Sequence, residues 1–133
     1  MSYALSAMGR EAASMLIRHP RPDEALDGLW PAYGKFAWNL EQVYVVEVDG
    51  QLVGGALIWD AGHEMVHLDE LTVIEGFQRE GIATALCLRI REDLVARGRK
   101  VLLGWTRREW FEQFAKRYGV HTGGPLTLLW WPL

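Results

Sequence analysis

Apolar residues recur at helical spacing near the start of the chain. Leu5, Met8, Ala12, Met15 and Leu16 fall on one face, which predicts a helix over Ser2–Arg18. His19-Pro20-Arg21-Pro22 ends it, because proline disfavours helix in the residue before it. Asp23 is placed to cap a second, short helix running to Trp30, with Pro31 closing it. Residues 31–42, with Tyr33, Phe36 and Trp38, read as loop or short helix.

The pattern then changes to strands. Val43–Val48 is a β-branched run ending at Asp49-Gly50, and Gln51–Trp59 returns from it. Asp-Gly between two apolar runs signals a type I′ hairpin, whose two central residues both need positive φ. After a turn at Asp60-Ala61-Gly62, Glu64–Val73 forms a third, central strand. Glu75–Glu80 is a polar loop. From Gly81 the period becomes helical: Ile82, Leu86, Ile90 and Leu94 recur every four residues until Gly98 terminates the run. Lys100–Trp105 is a short buried strand. Thr106-Arg107-Arg108-Glu109 is a capping box opening a helix that ends at Gly119, and Thr127–Trp131 is a last strand. The predicted order is ααβββαβαβ, an α/β (α+β) fold with a mixed, mostly antiparallel sheet flanked by helices.

Length and charge narrow the classes. The chain has 133 residues, read as one domain over 1–133, half of them apolar, enough for a core without staples. The net charge is −3, but residues 1–77 carry 4 basic and 12 acidic side chains and residues 78–133 carry 10 and 5. An anionic ligand is therefore expected on the second part, and a cationic acceptor suits the first. Basic residues are too scattered for extended nucleic acid. The lone cysteine, Cys87, sits at an apolar helical position and forbids an intrachain disulfide. No secretory leader or membrane-spanning run is visible, so the expected compartment is the cytoplasm.

The candidate chemistry lies where the central strand meets the following helix. The segment reads Leu71-Thr72-Val73-Ile74-Glu75-Gly76-Phe77-Gln78-Arg79-Glu80-Gly81-Ile82-Ala83. A loop opening a helix exposes unpaired N–H groups at the positive end of the helix dipole, a ready site for a pyrophosphate. Gly81 permits close backbone approach, Ala83 is small, and Gln78 and Arg79 add donors. No glycine-rich nucleotide loop of the G-x-x-x-x-G-K-[ST] or G-x-G-x-x-G type is present.

This segment resembles the fingerprint of the GNAT superfamily of acyl-CoA-dependent N-acyltransferases: Gln/Arg-x-x-Gly-x-Gly/Ala between a central strand and a helix. Gln78, Gly81 and Ala83 match it, and the "VDGQLVGG" hairpin and "FAKRYGV" helix end are similar to the family too, over roughly residues 41–120. The resemblance implies acetyl-CoA as co-substrate, held by Gln78, Arg79, Glu80, Gly81, Ile82, Ala83 and Thr84 and by the backbone of Leu71, Thr72 and Val73. It implies direct attack of an amine on the thioester, with no resident metal. The acceptor, a small molecule or a protein amine, is left open. A carboxylate on the central strand is a common base: Glu70 is the first candidate and Asp69 the second. Alternation puts Glu70 on one face with Leu68 and Thr72, and Asp69 on the other with His67 and Leu71. Where many members carry a tyrosine, four residues before the glycine matching Gly119, this chain has Ala115. Tyr118 is the remaining candidate acid. The family usually begins with a strand, whereas this chain is expected to open on a helix.

Two other readings stand beside this one. The first is a CoA-binding module without catalysis, which the residue at Ala115 favours. The second is a zinc hydrolase, because His63-Glu64-Met65-Val66-His67 is a literal H-E-x-x-H. That motif needs a helix. On a strand, residues four apart are separated by about 13 Å and cannot share one ion. The C-terminal strand, with Trp130 and Trp131, offers an apolar face for a homodimer.

Overall fold

The computed structural model describes residues 2–4, 14–31, 39–78, 81–106, 110–123 and 127–133. Its elements are β1 (Ser2–Ala4), β2 (Ser14–Arg18), β3 (Val43–Val48), β4 (Gln51–Trp59), β5 (Met65–Val73), α1 (Ile82–Ala96), β6 (Val101–Thr106), α2 (Trp110–Tyr118), β7 (His121–Gly123) and β8 (Thr127–Pro132). The chain divides into two compact units, Met1–Leu57 with Glu70–Arg89, and Ile58–Asp69 with Ile90–Leu133.

In the first unit, β1, β2, β3 and β4 pair antiparallel in chain order. The β3–β4 hairpin closes through Asp49 (φ 50°) and Gly50 (φ 78°), with Val48 opposite Gln51. Positive φ at both positions is the primed turn that the Asp-Gly pair predicts. Val43, Tyr44, Val45 and Val46 are all buried, so β3 is covered on both faces. One side of this core is a cluster of Leu26, Leu29, Trp30, Val43, Val45 and Leu57, with Leu52 and Ile74 packed against it.

The first expected helix does not span Ser2–Arg18, and the second, over Asp23–Trp30, is not formed. Residues 2–4 and 14–18 are strands, and Leu5, Met8 and Ala12 lie outside the described residues. In β2 burial follows a period of two: Met15 and Ile17 are buried, Ser14 exposed, Leu16 and Arg18 between. The open edge of β3 supplies backbone partners and an apolar face, which outweigh a helical spacing carried by few residues. The expectation of a helical opening is thus overturned, and a strand comes first. Asp23–Trp30 forms turns, in which the Glu24 N–H bonds the Arg21 carbonyl and the Leu29 and Trp30 N–H groups bond the Leu26 carbonyl. Pro22, Gly28 and Pro31 leave too short a stretch to nucleate a helix. Of residues 31–42, Leu40–Gln42 is a 3₁₀ turn capped by the Asn39 side chain; Tyr33, Phe36 and Trp38 lie outside the described residues.

Arg18 anchors this opening strand. It meets Glu24 through both guanidinium nitrogens at 2.8 Å and Glu47 on β3 at 3.0 Å. The Arg18 contact holds the Glu24 carboxyl down at about 2 against the opposing effect of burial, with the Arg21 N–H assisting. An unfolded Glu24 ionises near 4.5. Its stabilisation is therefore complete above about pH 4.5 and is lost as pH falls toward 2. Glu24→Gln should cost on the order of 2 kcal/mol at neutral pH. The gap between variant and parent should narrow in urea melts repeated near pH 3.

In the second unit, β5 runs parallel to β6 from Met65↔Val101 to Leu68↔Gly104. β6 pairs antiparallel with β8, and β8 with β7. The β7 segment has no sequence signal beyond three residues and exists because β8 offers it an edge. Asp60 binds Arg99 at 2.9 Å and Arg97 at 3.4 Å and accepts the Gly62 N–H. Burial opposes its ionisation, yet the Gly62 N–H and the two arginines hold it below the usual carboxylate range. Trp131 is buried against Phe114 and Tyr118, and its indole N–H donates to the Tyr118 carbonyl at 2.8 Å. Trp131 therefore belongs to an intrachain core, and Trp130 stacks on His121. The later helices keep their expected ends: Gly98 and Gly119 have φ of 75° and 74° just past α1 and α2. Of the Thr106–Glu109 capping box, residues 107–109 lie outside the described residues.

Candidate active site

Glu70–Val73 of β5, the segment after it and the opening of α1 lie in the first unit. Along β5, Val66 is buried and Leu68, Glu70 and Thr72 are half-buried, while Met65, His67 and Asp69 are exposed. The alternation expected from sequence runs as far as Glu70, which is half-buried where Asp69 is exposed; Leu71, Thr72 and Val73 are all half-buried. β5 continues beyond its last register pair with β6, so Leu71–Val73 extends past the parallel ladder.

A short turn follows. The Ile74 N–H donates to the Val53 carbonyl at 2.9 Å, the Phe77 N–H closes on the Ile74 carbonyl, and Gly76 takes φ 92°. Gln78 is exposed, and its carboxamide Nε2 donates to the Val73 carbonyl at 3.2 Å. Gly81 has φ 83°, a backbone region that other residues enter only at a cost. Its carbonyl accepts the Ala85 N–H, so the helical ladder begins there. The N–H groups of Ile82, Ala83 and Thr84 are therefore the first-turn donors that no helical carbonyl can serve. Ile82 is buried, whereas Ala83 and Thr84 are half-buried, which leaves this end of α1 accessible. A glycine in a left-handed conformation, a small residue two further on and a helix start fit a phosphate group. Arg79 and Glu80 lie outside the described residues.

Residues weighed only lightly in sequence surround β5. The Trp30 indole N–H donates to the Thr72 hydroxyl at 3.0 Å. A Cβ at Gly54 would stand 2.9 Å from the Thr72 carbonyl oxygen and 3.3 Å from Ile82 Cγ2. A Cβ at Gly55 would stand 2.8 Å from Trp30 Cη2. Two successive glycines inside a strand are the signal that marks such close approach.

Tyr118 is half-buried, with its ring 4.6 Å from Phe114 and the Arg117 guanidinium over it at 5.5 Å. Ala115 is buried, one residue after Phe114 in α2. The H-E-x-x-H segment is not helical: Gly62 bends with φ 85°, His63 and Glu64 lie in the bend, and the strand begins at Met65. His63 and His67 are both exposed. Among the described residues no group of three His, Cys, Asp or Glu side chains is arranged to hold a metal. The zinc-protease geometry is therefore not formed. Cys87 is buried in α1, and burial pushes its thiol up to about 12. Among the described residues no helix is long and apolar enough to cross a membrane.

Comparison with known proteins places this geometry. The model of the acetyltransferase (GNAT) family matches residues 11–118. A GNAT family acetyltransferase from Elizabethkingia anophelis, crystallised with acetyl-CoA bound, has a TM-score of 0.71 at 15% identity, over 90% of this chain and 98% of that one. Ard1 from Thermoplasma volcanium has a TM-score of 0.70 at 16% identity, over 90% and 97%. PaiA N-acetyltransferase from Thermoplasma acidophilum, in complex with coenzyme A, has a TM-score of 0.61 at 12% identity. That match takes in 68% of this chain and 60% of the PaiA chain. At these identities the likeness is one of fold. No curated protein matches the chain in sequence.

Proposed function

Because the chain belongs to the acetyltransferase (GNAT) family, we propose that it transfers an acetyl group from acetyl-CoA to a primary amine. The observation that carries this reading is Gly81 at φ 83°, where α1 opens after β5 and the segment that follows it. The N–H groups of Gly81, Ile82, Ala83 and Thr84 would receive the pyrophosphate, and Gln78, Arg79 and Glu80 are further candidate contacts by the sequence resemblance. The backbone of Leu71, Thr72 and Val73 would hold the pantetheine arm. Acetyl-CoA supplies the acyl group as an activated thioester.

The residues of this chain then orient and deprotonate. Glu70, half-buried on β5, is the group assigned to take the proton of the attacking amine; Asp69 is second, since it faces outward. An amine that is protonated in solution must lose that proton before it is a nucleophile, so a carboxylate beside it acts as general base. The departing CoA thiolate takes a proton from an acid or from solvent; Tyr118 is the weak candidate for that acid, because its ring is engaged by Phe114 and Arg117. The acidic balance of residues 1–77 favours a cationic acceptor. The packing of Tyr118 and the alanine at 115 also favour a second reading, a CoA-binding module without turnover.

Titration of acetyl-CoA into metal-stripped protein by calorimetry tests the first step, and micromolar binding is the expected result. No binding by folded protein would overturn the reading. Thiol release in a panel of amines then separates an enzyme from a binding module. Gly81→Ala places a methyl group at a positive φ that disfavours it by about 1–2 kcal/mol. Acetyl-CoA affinity should fall roughly tenfold in that variant, by the same calorimetry.

A further inference from the structure

We propose that Trp30 is a positioning residue for the acetyl-CoA site, acting through its hydrogen bond to the Thr72 hydroxyl. The proposal rests on the assignment of Leu71–Val73 to the pantetheine arm. Trp30 is 42 residues away from Thr72 in sequence, and its indole N–H meets the Thr72 side chain rather than the backbone assigned to the cofactor.

Its environment is that of an anchor. Trp30 is 4% exposed and sits among Leu26, Leu29, Val43, Val45 and Leu57. The ring lies so close to β4 that a Cβ at position 55 would stand 2.8 Å from it. An indole held in this way has little freedom, so its N–H marks a fixed point in the first unit. A buried indole N–H needs an acceptor, and the Thr72 side chain is drawn to it at 3.0 Å. A β-strand would accept valine at position 72 with the same shape, so the hydroxyl is the feature that the contact uses.

Three further contacts pin the same stretch. The Thr72 carbonyl packs against Gly54, the Ile74 N–H bonds the Val53 carbonyl, and the Val73 carbonyl accepts from Gln78. All of them act on backbone; the Trp30 bond is the one that fixes the side chain between them. Rotation or slippage of Thr72 would turn the peptide groups on either side of it. Sites of this kind lose affinity when their supporting groups loosen by an ångström.

Calorimetry with acetyl-CoA tests this in Thr72→Val, Thr72→Ser, Trp30→Phe and the double variant Trp30→Phe/Thr72→Val, each also followed by thermal melting. Thr72→Val and Trp30→Phe should each weaken binding about three- to tenfold, the effect of losing one neutral hydrogen bond. The double variant should bind no more weakly than the weaker single one, and Thr72→Ser should bind like the parent. A purely structural role would lower melting temperatures and leave the affinity of the folded protein unchanged. Unchanged affinity in both single variants, additive losses, or a Thr72→Ser as weak as Thr72→Val would overturn the proposal. Should Trp30→Phe fail to fold, the near-isosteric Val and Ser variants at position 72 decide alone. Absence of binding in the folded parent would overturn the acetyl-CoA reading itself, whereas binding in the parent with insensitive variants overturns only the role of Trp30.

Discussion

Replacement of Glu70 by Gln is expected to lower kcat by about 10²–10⁴-fold, the span that a positioned general base contributes. Acetyl-CoA affinity should stay within about twofold, because the peptide groups assigned to the cofactor are untouched and one neutral hydrogen bond more or less is worth only about 1 kcal/mol. The substitution keeps shape and volume and removes only the charge and basicity. Glu70 is singled out from its neighbour by the pleat: it shares the half-buried face of β5 with Thr72, while Asp69 is exposed. Asp69→Asn should therefore have the smaller effect. The check is steady-state thiol release with whichever amine the screen identifies, alongside calorimetry on each variant. The reverse ranking, with Asp69→Asn the more damaging, would reassign the base. Equal insensitivity of both would leave the deprotonation to water or to the acceptor itself.

The largest expected effect on stability is at Gly55. A methyl group there would lie 2.6 Å from the Tyr44 carbonyl oxygen, 2.8 Å from Trp30 Cη2 and 3.2 Å from Leu29 Cδ1. The first of these is backbone of the adjacent strand, where Val45 pairs with Gly55, so it cannot swing aside. Either the β3–β4 ladder opens or the Trp30 ring is pushed off β4. Overpacking of this kind costs about 1–3 kcal/mol. For a chain of this size that lowers the melting temperature of Gly55→Ala by roughly 5–10 °C. Gly28→Ala is the natural contrast, since an added Cβ there meets nothing within 4 Å. It should leave the melting temperature unchanged or raise it slightly, because alanine reduces the freedom of the unfolded chain. Equal melting temperatures for the two variants would show that β4 relaxes around Gly55.

The elements best read from sequence were those specified by local chemistry. Asp49-Gly50 demands a turn with two positive φ values, and both are present. Gly98 and Gly119 each end a helix in the left-handed conformation for which glycine alone carries no penalty. The regular recurrence of Ile82, Leu86, Ile90 and Leu94 is long enough to settle α1, and all four are buried. The order of strand, turn and helix around Gly81 is set by the same local rules, which is why the candidate phosphate site was legible without coordinates.

Tertiary structure decided what short or ambiguous segments became. Met15 and Leu16 serve a helical stripe in sequence, but the edge of β3 recruits this stretch as β2 and sorts its side chains by the pleat instead. The H-E-x-x-H string is a metal motif only on a helix, and its place before the central strand removes that geometry. β7 carries no signal of its own and forms because β8 presents unpaired backbone groups to it. The link from Trp30 to Thr72 could not be read from spacing, since nothing local relates residues 42 positions apart. Local backbone preference is written in neighbouring residues, whereas strand pairing and side-chain anchoring depend on what the rest of the chain brings within reach.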